Sequence, residues 1–349
     1  MGLGPFMIYL LLACSVATAA LCLLAKPLAD RLQIFDYPRG GRKAHGNPTP
    51  QIGGVAILLP LIASLVVLWL LHPQEPLYLA LMLCSAGMGV VGVMDDQSHL
   101  SATGRLVVLG VFTLIAFALD AQLAAPAIPW ASFGSIAIGR PLFVAGAVLA
   151  TAGFVSSVNM ADGINGLVPS ALLIWCLGFD IFGDGAPRLV SLALTGPVAI
   201  VLVFNLRGRL FLGDSGTFGV GFVIALLAIA SLRSGTLKAE TMLVWFFVPV
   251  LDCLRVIAAR LLRGLSPLRG GKDHFHHILA DIFGNRRAFS VYTATILTTS
   301  LLAALVPKLG VTLLVALTAS GLGFVAARRV LHERLARHRV RQSRRRYPA

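Results

Sequence analysis

Residues 77–96 read LYLALMLCSAGMGVVGVMDD. From Leu77 to Met94 the segment carries no charge and is mostly apolar, and it stops at two adjacent aspartates, Asp95 and Asp96. A helix rises about 1.5 Å per residue, so about 20 apolar residues cross a hydrocarbon core of roughly 30 Å. The run therefore reads as a transmembrane helix with a charged edge. Only 15 of the 349 residues are acidic, so placing two side by side against such a helix calls for a reason.

Similar runs recur along the chain, near 5–26, 52–71, 77–94, 105–119, 141–158, 167–183, 188–204, 217–233, 241–261, 289–306 and 310–327. Eleven apolar segments, 57% hydrophobic residues and only 13% charged ones predict an all-α polytopic membrane protein, since soluble domains carry about 25% charged residues. The alternating pattern of an outer-membrane barrel is absent. The first run lacks a basic leader and is followed by Lys26, which favours a signal-anchor helix over a cleaved signal peptide. One membrane domain, 1–327, is expected, with a basic tail over 328–349. The five cysteines fall in or beside the apolar runs without a CxxC pair, so they read as small packing residues.

The basic residues orient this bundle. If the 27–51 loop is cytoplasmic, alternate loops and the tail collect 23 of the 29 Lys and Arg, and the opposite loops hold five. Cytoplasmic loops are enriched in Lys and Arg, so the N-terminus is expected outside and the C-terminus inside. The net charge of +14 then belongs mainly to one membrane face. Nucleic acid is a poor partner for charges that fringe apolar spans; anionic lipid head groups and an anionic substrate fit them.

On that same side the polar segments gather: Asp95 and Asp96, NMADGINGL (159–167), FLGDSG (211–216) and KDHFHH (272–277). Adjacent carboxylates repel unless a cation, a hydrogen-bond network or a shared proton intervenes. Asp214 and Asn159 offer the oxygen donors that suit Mg²⁺, with Mn²⁺ as an alternative, and Arg105, Arg209 and Lys272 suit phosphate oxygens. Taken singly, each cluster has a plainer reading: a solvated helix end, a glycine turn, or, for HFHH, a structural zinc site without cysteine partners. Together they point to chemistry at a phosphate.

The ordered set DDQSHLSATGR, NMADGINGL, FLGDSG and KDHFHH resembles the polyprenyl-phosphate N-acetylhexosamine-1-phosphate transferases, bacterial glycosyltransferase family 4, over about residues 36–279. DYPRGGRKAHGNPTPQIGG and PVLDCLRVIAAR resemble that family's first cytoplasmic loop and ninth span. The resemblance implies catalytic roles for Asp95, Asp96 and Asp162 and metal ligation by Asp214 and Asn159. It implies substrate binding by Arg105, Asn165, Arg209, Lys272, His274, His276 and His277. Arg105 stands where the family usually has lysine. Gly271 replaces a frequent acidic residue, and a proline is missing between Asn205 and Arg209, departures that bear on which sugar is accepted.

The implied activity is transfer of HexNAc-1-phosphate, chiefly GlcNAc-1-phosphate, from a UDP-sugar to undecaprenyl phosphate, releasing UMP. The resemblance implies O-antigen, lipopolysaccharide or a related envelope polymer, an inner-membrane location and a cytoplasmic site; a homodimer is compatible with it. The rival within the class is the transferase that takes UDP-MurNAc-pentapeptide. An ion-coupled transporter, the rival from another class, would place its acids near the bilayer midplane. In the tail, Leu331, Leu335 and His338 recur at helical spacing among arginines, which predicts a basic amphipathic helix on anionic lipid.

Overall fold

A computed structural model of the chain describes residues 5–37, 47–124, 127–266, 271 and 273–326. Its helices, in chain order, are α1 (Pro5–Leu23), α2 (Ala25–Leu32), α3 (Gly53–Leu71), α4 (Pro76–Ser98), α5 (Ala102–Leu119), α6 (Arg140–Ala161) and α7 (Leu167–Phe182). They continue with α8 (Gly185–Leu206), α9 (Gly213–Ser234), α10 (Ala239–Leu261), α11 (Phe275–Phe283), α12 (Asn285–Leu305) and α13 (Pro307–Ala326). Among the described residues, ten of them, all but α2, α7 and α11, are long and apolar enough to cross a membrane. The 16-residue α7 corresponds to the sixth apolar segment of the sequence, 167–183, and it is shorter than the ten membrane-length helices. The basic tail and Lys272 lie outside the described residues.

Two boundaries differ from the sequence reading. Lys26 does not close the first span: α1 ends at Leu23, and Lys26 belongs to α2, which buries Ala25 and Ala29 and turns Lys26 and Asp30 outward. Asp95 and Asp96 do not open a loop either. The helix runs through them to Ser98 and ends at His99, in a left-handed conformation with its N–H donated to Asp95 O. Charge ends an apolar run in sequence, but it does not end the backbone hydrogen-bond ladder.

At the centre stands α9. Its apolar window is 94% buried, against 50% or less in the other spans. A helix that is hydrophobic all round is a core helix. Its N-terminal end meets α3 and α4 backbone to backbone: a Cβ on Gly54 would overlap Gly216 N, and one on Gly92 would overlap Ser215. Within α9 the stretch Gly216–Val220 is π-helical, a local widening often found at functional sites.

Two prolines shape the packing. Proline has no N–H, so it leaves the carbonyl four residues earlier without its helical donor, and in lipid such a group must find another. Pro60 frees Ala56 O, and Thr18 Oγ1 of α1 donates to it at 3.0 Å. Pro249 frees Trp245 O, and Trp175 Nε1 of α7 donates to it at 2.8 Å. Trp245 Nε1 in turn donates to Ser300 O of α12 at 3.0 Å, so α7, α10 and α12 are stitched in sequence.

Short antiparallel pairs flank the bundle. Strand β1 (Phe35–Asp36) pairs with β2 (Thr49–Pro50). Just past it, Phe211 N–H donates to Pro50 O, Gly53 N–H to Phe211 O and Gly54 N–H to Leu212 O, which fixes the approach to α9. The hairpin of β3 (Ala127–Trp130) and β4 (Gly134–Ala137) is held by buried Glu240, whose carboxylate accepts the Ala131 and Ser132 N–H groups at 2.9 and 2.8 Å.

Candidate active site

Adjacent residues on a helix point about 100° apart, and Asp95 and Asp96 take different partners accordingly. Asp95 is fully buried; its Oδ1 accepts the Leu100 N–H at 2.5 Å and its Oδ2 lies 2.9 Å from Arg105 Nε. Asp96 faces α9. Both its oxygens accept the Asp214 N–H at 3.0 Å, its Oδ2 also accepts the Ser215 N–H at 3.4 Å, and its Oδ1 accepts Gln51 Nε2 at 3.1 Å. The carboxylate thus satisfies free donors at the start of a helix, where the helix dipole favours negative charge.

Above this cap opens a cavity of about 680 Å³, lined by residues from the ends of α6, α8, α9 and α12 and from the segments around Asp36 and Gln51. Asn159, Asp162, Asn165, Asp214, His277 and Arg286 all line it. Asn159 Nδ2 donates to Asp214 Oδ1 at 2.5 Å and to Thr217 Oγ1 at 3.0 Å, leaving its carbonyl oxygen for another partner. Burial pushes the Asp162 carboxyl up to about 7; a cation on the same oxygens would act in the opposite sense. Buried Asn205 shapes the wall, accepting the Gly166 N–H at 2.5 Å and donating to Leu210 O at 3.1 Å.

The donor chemistry here is hard oxygen. Among the described residues no group of three or more His, Cys, Asp and Glu side chains converges to hold a metal ion alone. Asp214 with the Asn159 amide, and Asp162 across the same cavity, make a partial shell of the kind Mg²⁺ accepts when phosphates and water complete it. The same observation removes the support for a zinc site among the histidines.

The histidines form a row. His274 and His276 lie parallel with ring centroids 5.7 Å apart, and His276 and His277 are 4.1 Å apart. Of the three, only His277 lines the cavity. His276 is fully buried against Gly163, and neither ring nitrogen has a hydrogen-bond partner. Burial, then the neighbouring His277, lowers its pKa to about 3, so it is a neutral packing ring at ordinary pH. His274 Nδ1 lies 3.1 Å from Asp252 Oδ2 of α10, and both Asp252 oxygens accept the Phe275 N–H at 3.0 Å.

The fold therefore gathers Asn159, Asp162, Asn165, Asp214 and His277 on one cavity, with Asp96 beneath it. Arg105 is engaged with Asp95, and Arg209 stands on the exposed turn after α8 and is not among the residues that line the cavity. Arg286 and Gln51 line the cavity without having been singled out in the sequence: Arg286 stands in no motif, and Gln51 lies in the 36–54 stretch, which was matched only as a loop. Asp252 carried a signal: an acid within an apolar span marks a buried partner or a site.

The sequence profile of glycosyl transferase family 4 matches residues 78–232, from α4 to α9. A decaprenyl-phosphate N-acetylglucosaminephosphotransferase of Mycobacterium leprae is 28% identical over 300 residues, covering 74% of this chain and 73% of the relative. An undecaprenyl-phosphate alpha-N-acetylglucosaminyl 1-phosphate transferase of Salmonella typhi is 26% identical over 313 residues, covering 84% and 80%. The protein of that same description from Escherichia coli K12 is 24% identical over 319 residues, with the same coverage. The stretch the profile matches holds Asp95, Asp96, Asn159, Asp162 and Asp214 together, and with relatives aligned over 74% to 84% of its length, the chain is similar to glycosyl transferase family 4.

Proposed function

We propose that the protein transfers an N-acetylhexosamine-1-phosphate, GlcNAc-1-phosphate first among them, from a UDP-sugar to undecaprenyl phosphate and releases UMP. On this reading it performs the first membrane step of a cell-envelope polysaccharide at the cytoplasmic face of the bacterial inner membrane. The observation that carries it is one cavity that brings Asn159, Asp162, Asp214 and Arg286, at or beside the ends of membrane-length helices, together with His277 of the short α11. Its volume of about 680 Å³ lies within the range of small-molecule sites, roughly 300–1,000 Å³. The asymmetry of Lys and Arg supports the cytoplasmic assignment.

In the reaction, the sugar-bearing phosphorus gains a bond to an oxygen of the lipid phosphate. The bond between that phosphorus and the bridging oxygen breaks, and UMP leaves with the electron pair. Mg²⁺, or Mn²⁺, held by Asp214 and the Asn159 carbonyl would supply charge neutralisation when bound. The chain's own part is to hold the groups in place. Asp96 fixes the backbone of Asp214 through both carboxylate oxygens, and Asn159 fixes its side chain. Arg286 and His277 offer donors to phosphate or sugar oxygens across the cavity.

The test is purified protein with Mg²⁺, undecaprenyl phosphate and a panel of UDP-HexNAc donors plus UDP-MurNAc-pentapeptide, with UMP release measured. Lipid-dependent UMP from a UDP-HexNAc is expected. Turnover of UDP-MurNAc-pentapeptide alone would move the protein to the peptidoglycan branch, and UMP release without lipid would make it a hydrolase.

A further inference from the structure

We infer that Asp252 is a positioning residue that sets the histidine row against the cavity. Its face of α10 grips residues 273–275 at several points. Asp252 takes His274 Nδ1 and the Phe275 N–H, the first free donor of α11. Arg255, which pairs with Asp252 at 2.8 Å, also donates to the Asp273 carbonyl and lies 4.7 Å from the centre of the Phe275 ring. Arg260 reaches the Asp273 carboxylate at 3.4 Å. Residues 252, 255 and 260 fall on one side of a helix, so a single rigid element presents the whole clamp.

The Asp252–His274 contact at the centre of the clamp is buried. Asp252 is 2% exposed and His274 7%, so water does not compete for their hydrogen bonds. A carboxylate that accepts from Nδ1 fixes the imidazole tautomer and ring plane. From His274 the arrangement passes by ring contact to His276, which is wedged against Gly163, and then to His277, which faces the cavity. His276 has no polar partner to orient it; packing alone does so, and packing depends on where α11 begins. Asp252 decides that start. It touches neither the cavity nor, on the proposed function above, the substrates; it acts through His274 and α11.

The test combines two measurements on Asp252→Asn, Asp252→Glu and Asp252→Ala in the full chain. Hydrogen–deuterium exchange over 273–283 needs no turnover. It is expected to speed up about tenfold or more in Asp252→Ala, less in Asp252→Asn, and least in Asp252→Glu. With whichever UDP-sugar the wild type uses, the donor KM is expected to rise about tenfold in Asp252→Asn while the undecaprenyl phosphate KM stays unchanged. In a double-mutant cycle with His277→Ala, the effects on donor KM should be strongly non-additive. Unchanged exchange over 273–283 would overturn the inference, as would additive effects or an equal change in both KM values, which a merely structural residue would give. If the wild type turned over no donor, the proposed reaction would fail, and the exchange measurement alone would still decide whether Asp252 holds the row.

Discussion

Both carboxylate oxygens of Asp96 accept the backbone N–H of Asp214, each at 3.0 Å, across 118 residues of sequence. The acid at the end of α4 therefore sets where the acid at the start of α9 stands. Asp214→Asn is expected to lower kcat by about 10²-fold or more, since it removes a charge that faces the cavity. Asp96→Asn keeps one acceptor oxygen and should displace Asp214 instead, lowering kcat at least about tenfold and shifting the Mg²⁺ concentration needed for half-maximal rate. A Mg²⁺ titration of both variants checks this; wild-type Mg²⁺ dependence in Asp96→Asn would refute the link.

Asp95 has a separate task. It is fully buried and pairs with Arg105, whose side chain is 28% exposed. Removing the arginine strands a buried charge, whereas removing the aspartate leaves Arg105 free to turn toward water. Arg105→Ala should cost about 3 kcal/mol of stability, and Arg105→Lys much less. Thermal unfolding in detergent measures the difference, and equal losses in the two variants would remove the ion pair from the account.

The proline-freed carbonyl of Trp245 gives a test with a built-in rescue. Trp175→Phe keeps the aromatic packing and deletes the donor at 2.8 Å, which should cost about 1–3 kcal/mol. In that background Pro249→Ala restores an N–H four residues after Trp245, so it should recover part of the loss, although it is neutral or harmful in the wild type. No rescue would mean that the Trp245 carbonyl is satisfied in some other way.

The buried His276 imidazole predicts an acid limb in stability. Its pKa in the fold is lowered to about 3 from the ordinary 6.5. Between those values the unfolded chain binds a proton that the folded chain refuses, so stability rises with pH across that window. Its contribution is complete above about pH 6.5 and is lost progressively as pH falls toward 3. His276→Gln should flatten this part of the stability profile, as measured by denaturant unfolding at a series of pH values. An unchanged slope would assign the limb to other groups.

Much of this architecture was legible in the chain because each span is an apolar run, and the bilayer admits few ways to fold one. Asn159, Asp162 and Asp214 were legible for the complementary reason: oxygen-rich clusters are conspicuous where 13% of residues are charged. What stayed hidden depends on distance in sequence. Nothing near Asp252 announces that His274, 22 residues later, returns to it. Arg209 lies beside a motif yet stands on an exposed turn, while Arg286 lies in no motif and lines the cavity. The continuation of α4 through Asp95 and Asp96 was hidden too, because its end is decided by the backbone of His99 and not by charge.

The glycine contacts where α3 and α4 meet α9 fix the scale of the site. Most active sites space their acids through side chains, which change rotamer and absorb small errors. Here Gly54 lies on Gly216 and Gly92 on Ser215, and at these two contacts backbone meets backbone with no side chain to yield. The spacing of Asp96 and Asp214 is thus as stiff as the peptide units themselves, like the jaws of a calliper cut from one piece of metal. Prising α4 away from α9 at the membrane edge would open that calliper directly, without any compound having to enter the cavity.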